Sequence, residues 1–198
     1  MAQAQRRNNR IEAVLDEAAA CFAQNGYGET TMREIATRAN MLPGSLYYHF
    51  PSKERLLLAV YKTCVARLCE SIDAIARTKD SDPWQQLEAV VAVHIRAIND
   101  PGDYARVMLR IEPQQLPGIR KELLAERAKY ERRFETLVDA LPLQTGIDRK
   151  LLRLFLLGAA NWTRVWFRAG PESPDSLARE LVRYLRDPTA SAEIPTTT

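Results

Sequence analysis

Apolar residues recur along the N-terminal part of the chain at the spacing of an amphipathic helix. The stripe Ile11, Val14, Leu15, Ala18, Ala19 and Phe22 follows the i, i+3, i+4, i+7 pattern. We expect Asn25-Gly26 to end this helix, because glycine accepts the left-handed conformation that helix C-termini often need. No run of alternating β-branched residues favours a strand anywhere in the sequence. The pattern therefore predicts an all-α protein.

Two short helices are predicted after the first. Thr31-Met32-Arg33-Glu34 has the form of a capping box, in which the Thr hydroxyl and the Glu carboxylate each accept from a backbone N–H. Asn40-Met41-Leu42 interrupts that helix, and Pro43 suits the first position of the next one. A capped helix, a three-residue turn and a second short helix within ~20 residues form the layout of a helix-turn-helix.

A long helix is predicted from the Ser52 cap to about Thr78, which at 1.5 Å per residue gives a rod of roughly 39 Å. Such a rod can join residues 1–52 to a second domain at residues 53–187. We expect residues 188–198 to be disordered, because they are small, polar and proline-containing. Turn signals divide the second domain into five further helices, about nine in all: Trp84–Ile98, Tyr104–Ile111, Gly118–Leu141, Asp148–Ala169 and Ser173–Leu185.

Composition excludes several classes of protein. The 198 residues are 46% hydrophobic and 27% charged, which is typical of a globular protein and not of a disordered one. The longest apolar stretch, residues 154–160, is far shorter than the ~20 residues of a membrane span. The polar, basic start lacks the apolar core of a signal peptide. We expect no membrane association.

The three cysteines, Cys21, Cys64 and Cys69, are an odd number without C-x-x-C spacing. This excludes a disulfide framework or a zinc site and favours a reducing cytoplasm. We interpret them as packing residues, with redox sensing as the alternative. Neither His49 nor His94 has acidic or cysteine partners at ligand spacing. We therefore predict no metal, no cofactor and no catalytic site.

The net charge of +3 does not by itself indicate a partner for the protein. Arg6, Arg7 and Arg10 lie close together with no acidic residue among them. A basic arm of this kind favours contact with a polyanion. A solvated terminus explains the same pattern, and both interpretations remain open.

The segment Gly44-Ser45-Leu46-Tyr47-Tyr48-His49-Phe50, followed by Ser52-Lys53-Glu54, resembles the signature of TetR-family transcriptional regulators. The resemblance extends upstream through Asn25-Gly26-Tyr27 to about residue 8. It implies a three-helix DNA-binding domain, a C-terminal domain for ligand binding and dimerisation, and a homodimer on a palindromic double-stranded DNA operator. Such proteins are usually repressors that a small molecule releases from DNA.

Carried over by position, the resemblance implies a set of DNA-binding residues. Thr31 would cap its helix against a phosphate, and Gly44 would let the backbone approach DNA. The full set is Thr31, Arg33, Gly44, Ser45, Tyr47, Tyr48, His49 and Lys53. Many relatives have Ser or Lys before the glycine, whereas this chain has Met41-Leu42-Pro43. Base contact there would be apolar, for example with a thymine methyl group, or absent. One of Tyr47 and Tyr48 could instead pack into the small domain.

The predicted helix near residues 148–169 has an apolar stripe beside small residues. Leu151, Phe155, Gly158, Trp162 and Val165 share one face. With the Leu177, Leu181, Val182 and Leu185 stripe, two copies of the chain could form a four-helix interface. Alternatively both stripes serve the core of one subunit.

An apolar pocket with a basic rim would suit an amphipathic anion such as an acyl-CoA thioester. The residues we predict to bind the effector are Trp84, Tyr104, Arg106, Met108, Arg110, Phe134, Trp162 and Trp166. Arg164 and Arg168 would extend the rim. In addition, Gly158-Ala159-Ala160-Asn161-Trp162-Thr163 is similar to a subset of TetR-type repressors that control fatty-acid or steroid-ring degradation and sense acyl-CoAs. The alternative is that these aromatic residues are core residues and the arginines form a solvated face.

Three other functions remain open at this point. The chain could be a TetR-type regulator that senses a hydrophobic drug-like ligand and controls an efflux or resistance gene. It could be a small helical enzyme acting on acyl thioesters, although no recognisable nucleophile or base supports this. It could also be a protein-interaction module that does not bind DNA.

Overall fold

The computed structural model describes residues 2–77, 82–168 and 170–187, with side chains from residue 9 onward. The residues so described contain nine α-helices and no strand, which confirms the all-α prediction. The helices are α1 (Ala2–Glu29), α2 (Met32–Arg38), α3 (Pro43–His49), α4 (Lys53–Ala76), α5 (Pro83–Asn99), α6 (Asp103–Arg110), α7 (Arg120–Asp139), α8 (Arg149–Trp166) and α9 (Pro174–Arg186). A 3-10 turn at Pro113–Gln115 separates α6 from α7.

The chain forms two compact units. The first extends to Glu70 and also includes Asp100–Glu131, so that it holds α1, α2, α3, α6, most of α4 and the first part of α7. The second comprises Ser71–Asn99 and the chain from Arg132 onward. Each unit thus combines segments that are distant in the sequence.

The first unit is organised around α1, which packs against α2 and α6. Val14, Ala18, Ala19 and Phe22 on the predicted stripe of α1 are all buried. The regular helix ends where predicted, because Gly26 has φ 82° and ψ 164°, although helical hydrogen bonding resumes beyond this kink as far as Glu29. Glycine is required here, since a side chain at this φ would be strained.

The predicted capping box of α2 is only half formed. The Thr31 hydroxyl oxygen accepts from the Glu34 backbone N–H at 3.2 Å, as expected. The Glu34 carboxylate, however, accepts from the side-chain amide of Asn25 at 2.8 Å. The sequence prediction of a reciprocal bond was therefore wrong in this second half. Glu34 instead ties α2 to the end of α1.

A Schellman motif forms the turn between α2 and α3. Asn40 has φ 49°, in the left-handed region, and its N–H donates to the Thr37 carbonyl at 3.1 Å. The next N–H, of Met41, donates to the Ala36 carbonyl at 2.8 Å. These two bonds satisfy carbonyls that the end of a helix leaves free. The Met41 side chain is buried and the Leu42 side chain is exposed, so the turn reverses the direction of the side chains between these neighbours.

The second unit is built on α5, which packs against α8 and α9. Leu87, Val90, Val91 and Ile95 of α5 are almost completely buried. Asp148 caps α8 by accepting from the Leu151 N–H at 3.0 Å. A capping box of Ser173 and Ser176 starts α9. The ends of α8 and α9 are therefore fixed by side chains as well as by packing.

Several helix ends differ from the predictions. The structure ends α4 at Ala76 instead of about Thr78, and Thr78 lies outside the described residues. Helix α8 ends at Trp166, before the predicted Ala169, because Phe167 is extended with ψ 135°. Ala169, the side chains of Arg6 and Arg7, and the tail at residues 188–198 also lie outside what the structure describes.

No helix within the described parts of the chain is both long and apolar enough to cross a membrane. All three cysteines are buried, and none of them forms a disulfide bond. Burial raises the pKa of the Cys64 thiol to about 11, against a smaller opposing effect of Arg67. A thiol that stays protonated is a poor nucleophile, which favours the packing interpretation over redox sensing.

Candidate DNA-binding and effector sites

The surface of α3 presents most of the residues that the sequence analysis assigned to DNA. Leu46 is completely buried and fastens the helix to its unit. Tyr47 and Tyr48 are 49% and 86% exposed, so neither packs into the small domain. Gly44 and Ser45 are exposed as well. The outer face of α3 therefore offers hydroxyl groups and a short stretch of nearly bare backbone.

Gly44 lies at the edge of a shallow cleft of about 300 Å³. A methyl group added at Gly44 would meet no atom within 4 Å, so that this part of the backbone faces open space. The cleft is lined by Arg10, Met41, Gly44, Ser45, Tyr48 and His49. Arg10, which the sequence left undecided between polyanion contact and a solvated terminus, thus lies beside predicted DNA-binding residues.

Thr31, the N-cap residue of α2, and Arg33 within α2 are both exposed. Sequence reasoning assigned no individual role to the neighbouring Thr30, which is completely buried. Its hydroxyl donates to the Gly26 carbonyl at 2.7 Å and approaches the Cys21 carbonyl at 3.2 Å. Thr30 therefore closes the kinked end of α1, a role that only the backbone geometry at Gly26 reveals.

Lys53 has a different environment from the one expected. Its ammonium group donates to the backbone carbonyls of Tyr27, Gly28 and Thr30 at 2.7, 3.0 and 2.8 Å. It also lies 4.5 Å from the centre of the Tyr27 ring. An ammonium group has three N–H donors, and all three are used within the protein. Direct contact of Lys53 with DNA stays a prediction, but in this structure the residue holds the end of α1 against the start of α4.

Four residues predicted to bind the effector lie on α6, within the first unit. The Tyr104 hydroxyl donates to Asp16 of α1 at 2.8 Å, and the Arg67 guanidinium lies 4.3 Å from the centre of the Tyr104 ring. Arg110 donates to the Ala23 carbonyl of α1 at 2.6 Å. Tyr104 and Arg110 thus connect α6 to the helix that carries the DNA-binding elements.

The remaining two α6 residues have simpler surroundings. The Met108 sulfur lies 3.9 Å from the Cys64 sulfur, and Arg106 is exposed. Arg110 also contributes to a cavity of about 350 Å³, beside Phe22, Tyr27, Val107 and Leu116. An apolar cavity therefore exists next to one of the predicted cations.

The other four predicted effector residues belong to the second unit. Trp84 and Phe134 are buried, and the Phe134 ring makes an edge contact with His94 at 5.5 Å between centroids. Trp162 and Trp166, in contrast, are 63% and 50% exposed. The eight residues are therefore divided between the two units, four in each.

Helix α8 exposes an apolar face. All five members of its predicted stripe are exposed: Leu151, Phe155, Gly158, Trp162 and Val165. Phe155 is 70% exposed, whereas Leu156, the next residue, is 1% exposed. The stripe of α9 differs, because Val182 is buried and Leu177, Leu181 and Leu185 are half-buried. Of the two predicted stripes, the α8 stripe is therefore exposed on the surface of the subunit, whereas the α9 stripe packs partly into the core of the subunit.

Polar contacts fasten the inner side of α8 to α5. The His94 ring nitrogen Nε2 lies 3.2 Å from the Asn161 side-chain oxygen. The Asn99 amide donates to the Thr163 hydroxyl at 2.8 Å. Burial lowers the pKa of His94 to about 4, so that the ring is neutral at physiological pH. Sequence reasoning predicted none of these bonds of Asn99, Asn161 and Thr163, because residue type does not reveal which neighbour a polar side chain contacts.

Comparison with protein families identifies both parts of the chain. Residues 14–60 match the family of bacterial regulatory proteins described as the tetR family. Residues 80–188, more than half of the chain, match the tetracyclin repressor-like C-terminal domain. The N-terminal match contains α2 and α3 together with most of α1.

Individual proteins are similar to this chain over most of its length. The HTH-type transcriptional repressor KstR2 of Mycobacterium tuberculosis is 31% identical over 174 residues, which cover 82% of this chain and 84% of the relative. Among solved structures, superantigen PfiT superposes with a TM-score of 0.79 at 27% identity, covering 88% of this chain and 94% of the other. AibR in complex with isovaleryl coenzyme A and operator DNA superposes with a TM-score of 0.71 at 24% identity, covering 87% and 96%. The chain therefore belongs to the TetR family, as a DNA-binding transcriptional regulator with a tetracyclin repressor-like C-terminal domain and not as an enzyme.

Proposed function

We propose that the protein is a homodimeric repressor, acting in the cytoplasm, that binds a palindromic operator and leaves it when a small amphipathic effector binds. The observation that carries the dimer is the exposed apolar face of α8. We define this α8 face as Leu151, Leu154, Phe155, Gly158, Trp162, Val165 and Trp166. Its six larger side chains are between 48% and 70% exposed.

Exposure of this extent is unfavourable for an isolated subunit. Contiguous apolar patches on monomers are small, and larger ones mark interaction sites. A second copy of the same chain is the occupant that suits the α8 face best, since a two-fold axis lets one apolar helix face cover its own equivalent. A methyl group added at Gly158 would meet no atom within 4 Å, which leaves room for a partner helix to approach. Two subunits would also carry two α3 helices, as two half-sites of an operator require.

The dimer can be tested by sedimentation equilibrium of the variant Phe155→Glu. A charge in the middle of the buried interface should convert dimer to monomer, because it cannot be paired there. Leu124→Glu is the matched control, as Leu124 is 41% exposed on α7 and outside the α8 face. We expect the control to remain dimeric. A wild-type chain that sediments as a monomer at micromolar concentration would exclude this part of the proposal.

The effector that we propose is an acyl-CoA thioester, and the residues that we propose for its contacts are the four predicted on α6, Tyr104, Arg106, Met108 and Arg110. The resemblance of the Gly158–Thr163 segment to acyl-CoA-sensing repressors supports this, and AibR binds isovaleryl coenzyme A on the same fold. The clustering of Arg106 and Arg110 on α6 is compatible with a phosphate-rich ligand. The hydrogen bonds of Tyr104 and Arg110 to α1 provide a route by which a ligand near α6 could affect the DNA-binding helices.

A thermal-shift series with acyl-CoA esters of increasing chain length tests the effector. A bound thioester should raise the melting temperature, since a ligand that binds the native state alone stabilises it. The same ester should release the protein from DNA in a gel-shift assay. The free acids and coenzyme A alone are the controls, and we expect much smaller effects from both. Equal effects of acid and thioester would contradict the CoA-specific part while leaving the repressor function intact.

A further inference from the structure

Leu42 is an exposed leucine at the start of α3. Its side chain is 75% exposed, whereas Met41 beside it is 7% exposed. The Schellman motif fixes this alternation, since the two backbone bonds from Asn40 and Met41 determine the direction of the chain. The Leu42 carbonyl accepts from the Ser45 and Leu46 N–H groups at 2.9 and 3.1 Å. The position of its side chain is therefore set by the backbone and not by packing.

Leucine is a poor choice for this position if only stability counts. Leu42 is the N-cap residue of α3 and makes no side-chain capping bond. Ser, Thr, Asp or Asn at an N-cap is typically more stable than an aliphatic residue by about 1 kcal/mol. An exposed leucine also gains nothing from burial. The leucine side chain is therefore available for contact with a partner outside this chain.

The neighbours of Leu42 narrow the chemistry of that partner. Pro43, Gly44 and Ser45 are all exposed, and Ser45 carries the first side-chain hydroxyl of the helix. Leucine has neither donor nor acceptor, so that it cannot bond to the N7, O6, N6 or O4 atoms of bases. In the major groove, thymine alone adds an apolar group, its C5-methyl.

We propose that Leu42 reads a thymine in each operator half-site by packing against its C5-methyl group. This inference rests on the proposed binding of a two-fold operator and specifies one base in it. Ser45, Tyr47 and the phosphate contacts would fix the position of α3, while Leu42 would distinguish thymine from the other three bases at its position. Cytosine in the same place would present an amino group to the leucine without a partner.

The operator for the test is obtained by letting the purified protein select from a random DNA library. Each thymine is then replaced in turn by deoxyuridine, which removes only the methyl group. We expect one symmetric pair of thymines at which replacement weakens wild-type binding by about four-fold for each half-site, the value for one buried methyl. In Leu42→Ala the same replacement should have no effect, whereas Ser45→Ala should keep the wild-type sensitivity. Because Leu42 is exposed, Leu42→Ala should melt at the wild-type temperature.

The outcomes separate this inference from the proposed function. Failure to select any DNA would exclude the operator binding on which the inference rests. A selected operator that tolerates deoxyuridine at every position would overturn the thymine contact alone. Equal methyl sensitivity in wild type and Leu42→Ala would likewise overturn it, because another residue would then contact the methyl group.

Discussion

The hydroxyl of Tyr104 donates a 2.8 Å hydrogen bond to the carboxylate of Asp16, a residue 88 positions earlier in the chain. Burial, together with this bond, raises the pKa of Tyr104. The contact joins α6 to α1 next to the Arg67 guanidinium, which itself lies 3.7 Å from the Asp16 carboxylate. Tyr104, which the sequence analysis assigned to effector binding, thus also bonds to Asp16 within the chain. Asp16 lies on α1, the helix that precedes the DNA-binding elements.

We expect Tyr104→Phe to lower the free energy of unfolding by about 1 kcal/mol, because the ring stays and a single hydrogen bond is lost. In a double-mutant cycle with Asp16→Ala, the two changes should not be additive, since they remove the same contact. Urea denaturation of the four proteins measures this.

The same variants separate the two roles of Tyr104. If its hydroxyl also binds the effector, Tyr104→Phe should weaken acyl-CoA binding in calorimetry while Asp16→Ala does not. Equal weakening in both variants would mean that the bond between α6 and α1, and not a ligand contact, affects the effector.

Lys53→Met should show whether the lysine positions the DNA-binding elements or contacts DNA. Loss of three bonds to carbonyls should lower the free energy of unfolding by about 1–3 kcal/mol. Operator affinity should fall, but its dependence on salt concentration should not change, because no phosphate contact is lost. Fluorescence anisotropy across a salt titration measures both quantities.

Arg33→Met is the control for Lys53→Met, since Arg33 is exposed on α2 and carries the same charge. If Arg33 contacts a phosphate, the salt slope should fall by about one with little effect on stability. A salt slope reduced by about one in Lys53→Met, at wild-type stability, would instead restore Lys53 to the phosphate contacts predicted from the sequence.

Gly44→Ala should separate stability from operator binding. The added methyl group meets no atom of the protein, and alanine is the better helix former. The free energy of unfolding should therefore be unchanged or rise by up to about 1 kcal/mol. Operator affinity should nevertheless fall at least ten-fold in a gel-shift assay, because the methyl group faces the side where DNA is proposed to bind. Full affinity in this variant would show that the backbone at Gly44 does not approach DNA closely.

The lowered pKa of His94 in the folded protein predicts that the stability of the protein depends on pH. Its folded-state pKa of about 4 is lower than the ordinary 6.5, so that between these two values the unfolded chain binds a proton that the folded protein does not. The free energy of unfolding should therefore decrease as the pH falls through this range and stay constant above about pH 7. From pH 7 to pH 5 we expect a loss of about 2 kcal/mol in urea denaturation at fixed protein concentration.

His94→Gln is the control for that measurement, since glutamine does not titrate and can still donate to the Asn161 oxygen. Its stability should depend less on pH than that of the wild type over the same interval. If both proteins lose the same free energy between pH 7 and pH 5, groups other than His94 are responsible.

How far the sequence could predict the fold is illustrated by α8. Its amphipathic spacing and the Asp148 cap are local properties, so the helix and its start could be inferred directly. Whether the stripe with Phe155 and Trp162 faced the core or the solvent could not, because spacing shows only that apolar residues share a face. The exposed fractions in the structure decide this for the subunit.

The candidate sites show the same division. The α3 residues lie where the motif placed them, since a helix-turn-helix is a short, local structure. The bonds of Lys53 to three carbonyls and of Tyr104 to Asp16 depend instead on how distant segments meet. Residue type suggests a phosphate contact or a ligand contact in both cases, and only three-dimensional proximity reveals the partner within the chain.

The left-handed turn at Asn40 separates the residues on which folding depends from those available for recognition. Met41 and Leu46 point inward, while Leu42, Gly44 and Ser45 point outward. Replacements at the outward positions therefore have little effect on the stability of the subunit. An ancestral duplicate of this protein could consequently acquire a new DNA preference by single substitutions, without a compensating change in the interior. The same property makes the four exposed residues from Leu42 to Ser45 a practical starting point for reprogramming the set of genes that such a regulator controls.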